Sequence, residues 1–180
     1  MILTVSGPPG SGKSTVAKIL ADKLQYRYFS AGEIFRECAK ARGLSLEDFG
    51  TLAENDWSID RELDAKLLAE MQNAENVVFD ARLAGVLAHV HGISAIKVYI
   101  TAGVDERARR IAQREGKDVS IVREEMLTRE QSESRRYREI YGYDPSVREI
   151  YDVYIDSTTL SVEQVVSAIL ERISRFQSVT

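Results

Sequence analysis

The chain has 180 residues, 44% apolar and 29% charged, with a net charge of −4 and a pI near 5.4. That balance describes an ordinary globular chain with enough residues for one hydrophobic core, and it gives no generalised attraction to nucleic acid. A single cysteine, Cys38, and two histidines leave no disulfide framework and no zinc site, and no apolar run approaches the roughly 20 residues of a membrane span. Met1 to Ser6 is too short an apolar run for a secretory signal. The expectation is one domain over residues 1–180, acting in the cytoplasm as a monomer, with no membrane or nucleic-acid partner.

Ile2-Leu3-Thr4-Val5-Ser6 is short, apolar and β-branched, the pattern of a buried strand. Gly7 to Gly12 reads as a loop. From Lys13, the apolar residues Val16, Ala17, Ile19, Leu20 and Leu24 recur at helical spacing. Tyr26–Phe29 predicts a second strand. Ser30 then has the character of an N-cap, with Glu33 three residues on completing a capping box, and its helix runs to Arg42 and stops at Gly43. Ser45 starts another, with Glu47 and Asp48 in its first turn. A longer helix covers about Arg61 to Met71. Strands are predicted at Asn76–Asp80, Ile96–Ile100 and Val153–Ile155, and helices at Asp105–Glu115, Ile121–Tyr141 and Val162–Phe176. Strands alternating with helices imply an α/β fold whose parallel sheet is covered on both faces.

Gly7-Pro8-Pro9-Gly10-Ser11-Gly12-Lys13-Ser14 matches G-x-x-x-x-G-K-[ST] at every fixed position, between a predicted strand and a predicted helix. Glycines let backbone N–H groups converge on phosphate oxygens, and the helix that follows adds its positive dipole end. Lys13 is placed to reach the β and γ phosphates of ATP, and the Ser14 hydroxyl to sit on Mg²⁺, with Thr15 completing the cradle. The chain has no guanine-reading Asn-Lys-x-Asp and is short for a motor ATPase. At this length small-molecule and nucleotide kinases suit it best.

Beyond that loop, the sequence resembles the cytidylate kinases over almost its full length, in the shorter, archaeal-type form. Phe29-Ser30-Ala31-Gly32-Glu33-Ile34-Phe35-Arg36 resembles their acceptor motif, with one extra residue. Phe79-Asp80-Ala81-Arg82-Leu83-Ala84-Gly85 is similar to a strand-end Gly-Arg element. Lys97 to Ala102 followed by Asp105 to Arg110, and Asp156 to Val165, are close to family segments. The resemblance implies a P-loop fold of three α/β/α layers on a five-stranded parallel sheet, with an acceptor-binding helical region near residues 31–70 and a short helical lid near 116–143. It also implies transfer from ATP to CMP or dCMP, with Mg²⁺.

On that resemblance Arg36 and Arg82 bind the acceptor's phosphate, a task suited to a guanidinium fork. Arg36 also reads as a surface helix residue. Ser30 is explained by capping alone or by acceptor contact as well. Asp80 is placed to orient the acceptor oxygen or a metal-bound water, or to pair with Arg82 in a plain turn. Asp60 and Asp64, four apart, are placed to close the acceptor region, although a solvated helix face is the plainer reading.

Arg129-Glu130-Gln131-Ser132-Glu133-Ser134-Arg135-Arg136 resembles the family's lid. Arg129, Glu133 and Arg136 share one helical face. Arginines from a closing lid neutralise the charge of a loose phosphoryl-transfer transition state, an effect worth about 10³ to 10⁵ in rate. Glu133 between them is placed to hold both guanidinium groups. A surface helix laced by ion pairs such as Glu125–Arg129 is the bland alternative. Gly116 and Gly142 flank the segment as candidate hinges, and one of Arg107, Arg109 and Arg110 is a candidate to pack on adenine.

Two departures bear on the base. Where the family's better-known members carry a Phe-Pro-Asp-Ala loop, this chain has Val90-His91-Gly92-Ile93-Ser94 with no carboxylate, and Ala81 precedes Arg82 in place of Gly. The acceptor therefore stays open among CMP, dCMP, UMP and other nucleotides. A kinase of shikimate or gluconate and an ATP-sensing regulatory module are the competing readings.

Overall fold

The computed structural model describes residues 1–177, apart from the side chains of Leu46, Glu47 and Gln177. Five parallel strands, β1 (Ile2–Ser6), β2 (Arg27–Ser30), β3 (Val77–Asp80), β4 (Ala95–Thr101) and β5 (Val153–Asp156), form one sheet in the order β2-β3-β1-β4-β5. Successive side chains of a strand point to opposite faces. Leu3 and Val5 accordingly pack with Val16, Ala17 and Leu20 of α1 (Lys13–Leu24) and Val165, Ile169 and Ile173 of α8 (Val162–Gln177).

Ile2, Val77 and Phe79 pack on the other face, with Ile34 and Cys38 of α2 (Ala31–Ala41) and Phe49 of α3 (Leu46–Asn55). Leu67 and Met71 of α4 (Trp57–Gln72) and Leu87 of α5 (Ala84–Val90) complete that layer. Each fully buried Leu, Ile or Phe contributes about 1.5–3 kcal/mol. Helices α6 (Val104–Glu115) and α7 (Val119–Tyr141) pair as a hairpin with a small core of their own: Ala108, Ile111, Ala112, Val122 and Met126. No helix of the described residues is long and apolar enough to cross a membrane.

Most elements match the sequence pattern to within a residue or two. The exceptions have local causes. Helix α4 starts at Trp57, four residues before the expected Arg61, because the Asp56 carboxylate caps it by accepting from the Ser58 N–H at 2.9 Å. Helix α5 was not expected at all. Its residues Ala84 to Ala88 are all buried, so the segment has no polar face and no helical period to show. Ser45 caps α3 as expected, accepting from Asp48 N–H at 3.0 Å; Glu47 lies outside the described side chains. The capping box at Ser30 does not form, for Ser30 occupies the N-cap position with no side-chain bond to the helix.

The strand order creates the crevice that matters. Helix α1 follows β1 onto one face, whereas α5 follows the neighbouring β3 onto the other. The two chain paths part at the C-terminal edge between β1 and β3, the place where open parallel sheets bind ligands.

Candidate active site

The phosphate loop lies at that edge, directly after β1. Gly7 is buried, and a Cβ on it would stand 2.1 Å from the Ile100 carbonyl oxygen. Gly10, at φ +77°, would place its Cβ 2.7 Å from the carbonyl oxygen of Arg107. The loop is thus clamped between β4 and α6 where only glycine fits. Gly12 is the N-cap of α1 and offers no side chain to it, which leaves the helix's first amides open to a ligand. Arg107 is buried beneath the loop: its Nε donates to the Ala102 carbonyl at 3.0 Å, its Nη1 to the Pro9 carbonyl at 3.2 Å, and it pairs with Glu130 of α7. Arg110 donates to the Gly10 carbonyl at 3.3 Å and the Ser157 carbonyl at 2.8 Å, while Arg109 pairs with Glu106. Arg107 is therefore a strut of the loop and is not available to pack on a base.

Lys13 Nζ lies 3.4 Å from Asp80 Oδ1 across the crevice and donates to Ser14 Oγ at 3.3 Å. Burial lowers the Lys13 pKa, and the Asp80 charge opposes that. Asp80 is 4% exposed. Its Oδ2 accepts from Tyr28 Oη at 2.8 Å, and its Oδ1 has no hydrogen-bond partner. Burial, then the neighbouring Asp80, raises the Tyr28 phenol well above its usual range. Tyr28 has no sequence signal beyond lying in a strand; only the pairing of β2 with β3 brings it to Asp80. The donors gathered here, a hydroxyl from Ser14 and a carboxylate from Asp80, are oxygens of the kind a hard divalent cation takes while keeping most of its waters.

Ser30 is the register partner of Asp80 on β2. With no capping bond, its hydroxyl lies beside the Gly32 backbone, 3.3 Å from where a Cβ would sit, and Arg36 Nη1 lies 3.5 Å from the same point. Ser30 and Arg36 thus approach each other over a glycine whose missing side chain keeps the space open. Arg36 is exposed.

Arg82 comes from the turn after β3 and pairs with Glu133 of α7, which also accepts from Arg129 Nε at 2.9 Å. Burial pulls the Arg82 guanidinium down to about 10, still protonated at neutral pH. Arg129 pairs forward with Glu133, not back to Glu125, which faces Lys117. The expectation that Glu133 holds both lid arginines is half right: it holds Arg129 and Arg82. Arg136 instead donates through Nε to Asp60 Oδ2 of α4 at 2.8 Å and through Nη1 to Ser132 Oγ at 2.7 Å. Asp60 is buried, not part of a solvated face, and Asp64 one turn on accepts from Tyr141 Oη at 2.6 Å. Gly7, Pro8, Arg82, Tyr99, Glu133 and Tyr137 are among the walls of a cavity of about 250 Å³ between the loop and α7.

The stretch Val90 to Ser94 lies at the other end of the sheet. It precedes Ala95, which pairs with Ile2 at the start of β1, whereas the phosphate loop follows Ser6 at its end. Four residue steps at roughly 3.3 Å each separate the two edges. The missing carboxylate of that stretch therefore falls away from the phosphate-loop edge.

A doubly covered parallel sheet, a phosphate loop at its topological break and arginines from a helical hairpin facing that loop define a P-loop kinase. Its relatives are specific within that class. A model of the cytidylate kinase-like family matches residues 2–159. The chain is 41% identical to a cytidylate kinase of Halobacterium salinarum, covering 99% of this chain and 92% of that one. It is also 41% identical to a cytidylate kinase of Staphylothermus marinus over 98% of each. The protein belongs to the cytidylate kinase family. Shikimate kinase from Bacteroides thetaiotaomicron superposes with a TM-score of 0.65 at 18% identity, covering 97% of this chain and 98% of that one, a likeness of fold alone.

Proposed function

We propose that the protein transfers the γ-phosphoryl group of ATP to CMP or dCMP, giving ADP and CDP or dCDP. The observation that carries this reading is the convergence of two sets of cations on one crevice. Lys13 and the open amides of α1 stand on the donor side, and Arg82 and Arg129 are gathered on Glu133 opposite. The relatives named cytidylate kinase, matched nearly end to end, favour cytidylate over shikimate, gluconate or a sensing role.

In this reading Gly7, Pro8, Pro9, Gly10, Ser11, Gly12, Lys13, Ser14 and Thr15 cradle the triphosphate, with Lys13 on its β and γ groups. Ser30, Arg36 and Arg82 take the acceptor's phosphate, and Glu133 keeps Arg82 turned toward it. An oxygen of that phosphate attacks the γ-phosphorus in line, and the bond to the β–γ bridging oxygen breaks. The attacking oxygen carries no proton that must be removed, so no general base is needed. Asp80 holds Lys13 and orients the acceptor side of the crevice. Arg129 and Arg136 neutralise the charge spread over the equatorial oxygens. Ser14 and Asp80 are the residues that would hold Mg²⁺, which would supply charge neutralisation for the transferred group.

Residues 31–70 form the acceptor region and 116–143 the lid of one domain. Gly116 and Gly142, left-handed C-caps at φ +66° and +74° with open space around them, serve as its pivots. Closure excludes water that would otherwise accept the phosphoryl group. In this reading the enzyme is a monomer, and its place is the cytoplasm, a compartment in keeping with the free Cys38.

A coupled ADP-release assay across the common nucleoside monophosphates, shikimate and gluconate tests the proposal. CMP and dCMP are expected to stimulate turnover most. Turnover that no monophosphate stimulates would defeat it.

A further inference from the structure

Arg136 belongs to the lid, yet its principal partner belongs to the acceptor region. Both side chains are nearly out of solvent, Arg136 at 7% and Asp60 at 11% exposure. Asp60 takes the Nε edge of the guanidinium and Ser132 takes Nη1, and two fixed edges of a planar group fix its plane. Burial raises the Asp60 pKa, and the charge and hydrogen bond of Arg136 oppose that rise. A buried ion pair is seldom more stabilising than apolar side chains of the same volume, which leaves orientation as the more economical reason for one here.

A second contact joins the same helices. Asp64 lies one turn along α4 from Asp60, and Tyr141 lies five residues along α7 from Arg136. Rises of about 6 and 7.5 Å along the two helices are nearly matched. The same two helices are thereby fastened at two levels, which defines their relative placement better than either contact alone.

We infer that Asp60 is a positioning residue for phosphoryl transfer: from the acceptor region it sets the direction in which the lid's Arg136 guanidinium points. The inference rests on the proposed reading that the lid arginines serve the transfer. Asp60 itself touches neither reacting phosphate; it acts through Arg136. The acceptor region and the lid are thus joined by a charge pair.

A double-mutant cycle with an independent spectroscopic readout tests this. Asp60→Asn keeps the shape and removes the charge. It should lower kcat on the order of tenfold to a hundredfold, as a misdirected catalytic group does, with the KM for ATP within about twofold of wild type. In an Arg136→Ala background the same change should lower kcat little further, because both substitutions remove one function. Asp60→Glu, which restores the charge on a longer arm, should recover part of the loss. Multiplicative effects in the double variant, or a lower melting temperature with kcat unchanged, would overturn the inference.

Should Asp60→Asn fail to fold, the ¹H–¹⁵N resonance of Arg136 Nε in the wild type decides. It should be slow to exchange with water, and it should stay so with nucleotides bound. Rapid exchange in both states would overturn the inference without reference to turnover. Absence of CMP turnover in the wild type would instead defeat the functional reading, while the resonance still shows whether Asp60 holds Arg136.

Discussion

Arg82 and Glu133 meet across the crevice, one from the turn after a central strand and the other from the middle of α7, and Arg129 joins the same carboxylate. Glu133 is 8% exposed and faces two guanidinium groups, so its charge is what keeps them together. Glu133→Gln should leave them mutually repelled. The expected result is a kcat lowered on the order of tenfold or more and a raised KM for CMP, read by steady-state kinetics. Removing one partner of a nearly buried pair also costs up to about 3 kcal/mol. At about 2–4 °C per kcal/mol for a chain of this size, that is visible in a thermal melt.

Arg36 is exposed and close to Ser30, so its loss should spare the fold. A charge-assisted hydrogen bond to a phosphate is worth about 1.5–3 kcal/mol. Arg36→Ala should therefore raise the KM for CMP roughly tenfold to a hundredfold while the KM for ATP barely moves. Equal changes in both constants would show that Arg36 does not distinguish the acceptor.

Gly10 combines a left-handed backbone with a close neighbour, its Cβ position lying 2.7 Å from the Arg107 carbonyl oxygen and 2.9 Å from that residue's Cβ. Gly10→Ala adds about 1–2 kcal/mol of backbone strain and pushes the loop off α6. ATP affinity, measured by calorimetry, should fall at least about tenfold. An unchanged affinity would mean that the loop's shape does not set the phosphate site.

Burial pushes the Asp64 carboxyl up to about 7 from an ordinary 3.8, with Asp60 adding to the shift and the Tyr141 hydroxyl opposing it. The fold therefore holds a proton that the unfolded chain has released, and stability should decline as pH rises between about 4 and 7. Asp64→Asn keeps an acceptor for Tyr141 without the charge. It should melt higher than wild type near about pH 8 and level with it near about pH 4. A variant less stable than wild type at both pH values would show that Asp64 is ionised in the fold.

Much of this architecture is legible in the residues. The buried run Ile2–Ser6, the glycine pattern after it and the period of α1 are local signals, and each survives folding unchanged. The lid's Arg129–Glu133 pair is equally local, four residues apart on one helix. Helix α5 was hidden because a segment buried on every side has no amphipathic period. Ser30 misled in the other direction, since a good capping residue was left unbonded to its helix, beside the open space over Gly32. Val90 to Ser94 misled by chain position, lying near the site in sequence and at the far edge of the sheet in space.

The amino-acid sequence by itself determined the chemistry: a loop whose glycines admit phosphate, a lysine and a serine at its end, and arginines spaced along one helical face. Those choices depend on backbone freedom and on spacing within one element, both of which are written in consecutive residues. Only the tertiary structure decided the partners. Tyr28 reaches Asp80 because β2 lies beside β3, Arg82 reaches Glu133 because α7 faces the end of β3, and Arg136 finds Asp60, 76 residues away, because α4 stands against the lid. Such pairings are fixed by the order of strands and the packing of helices, which no short window of sequence contains.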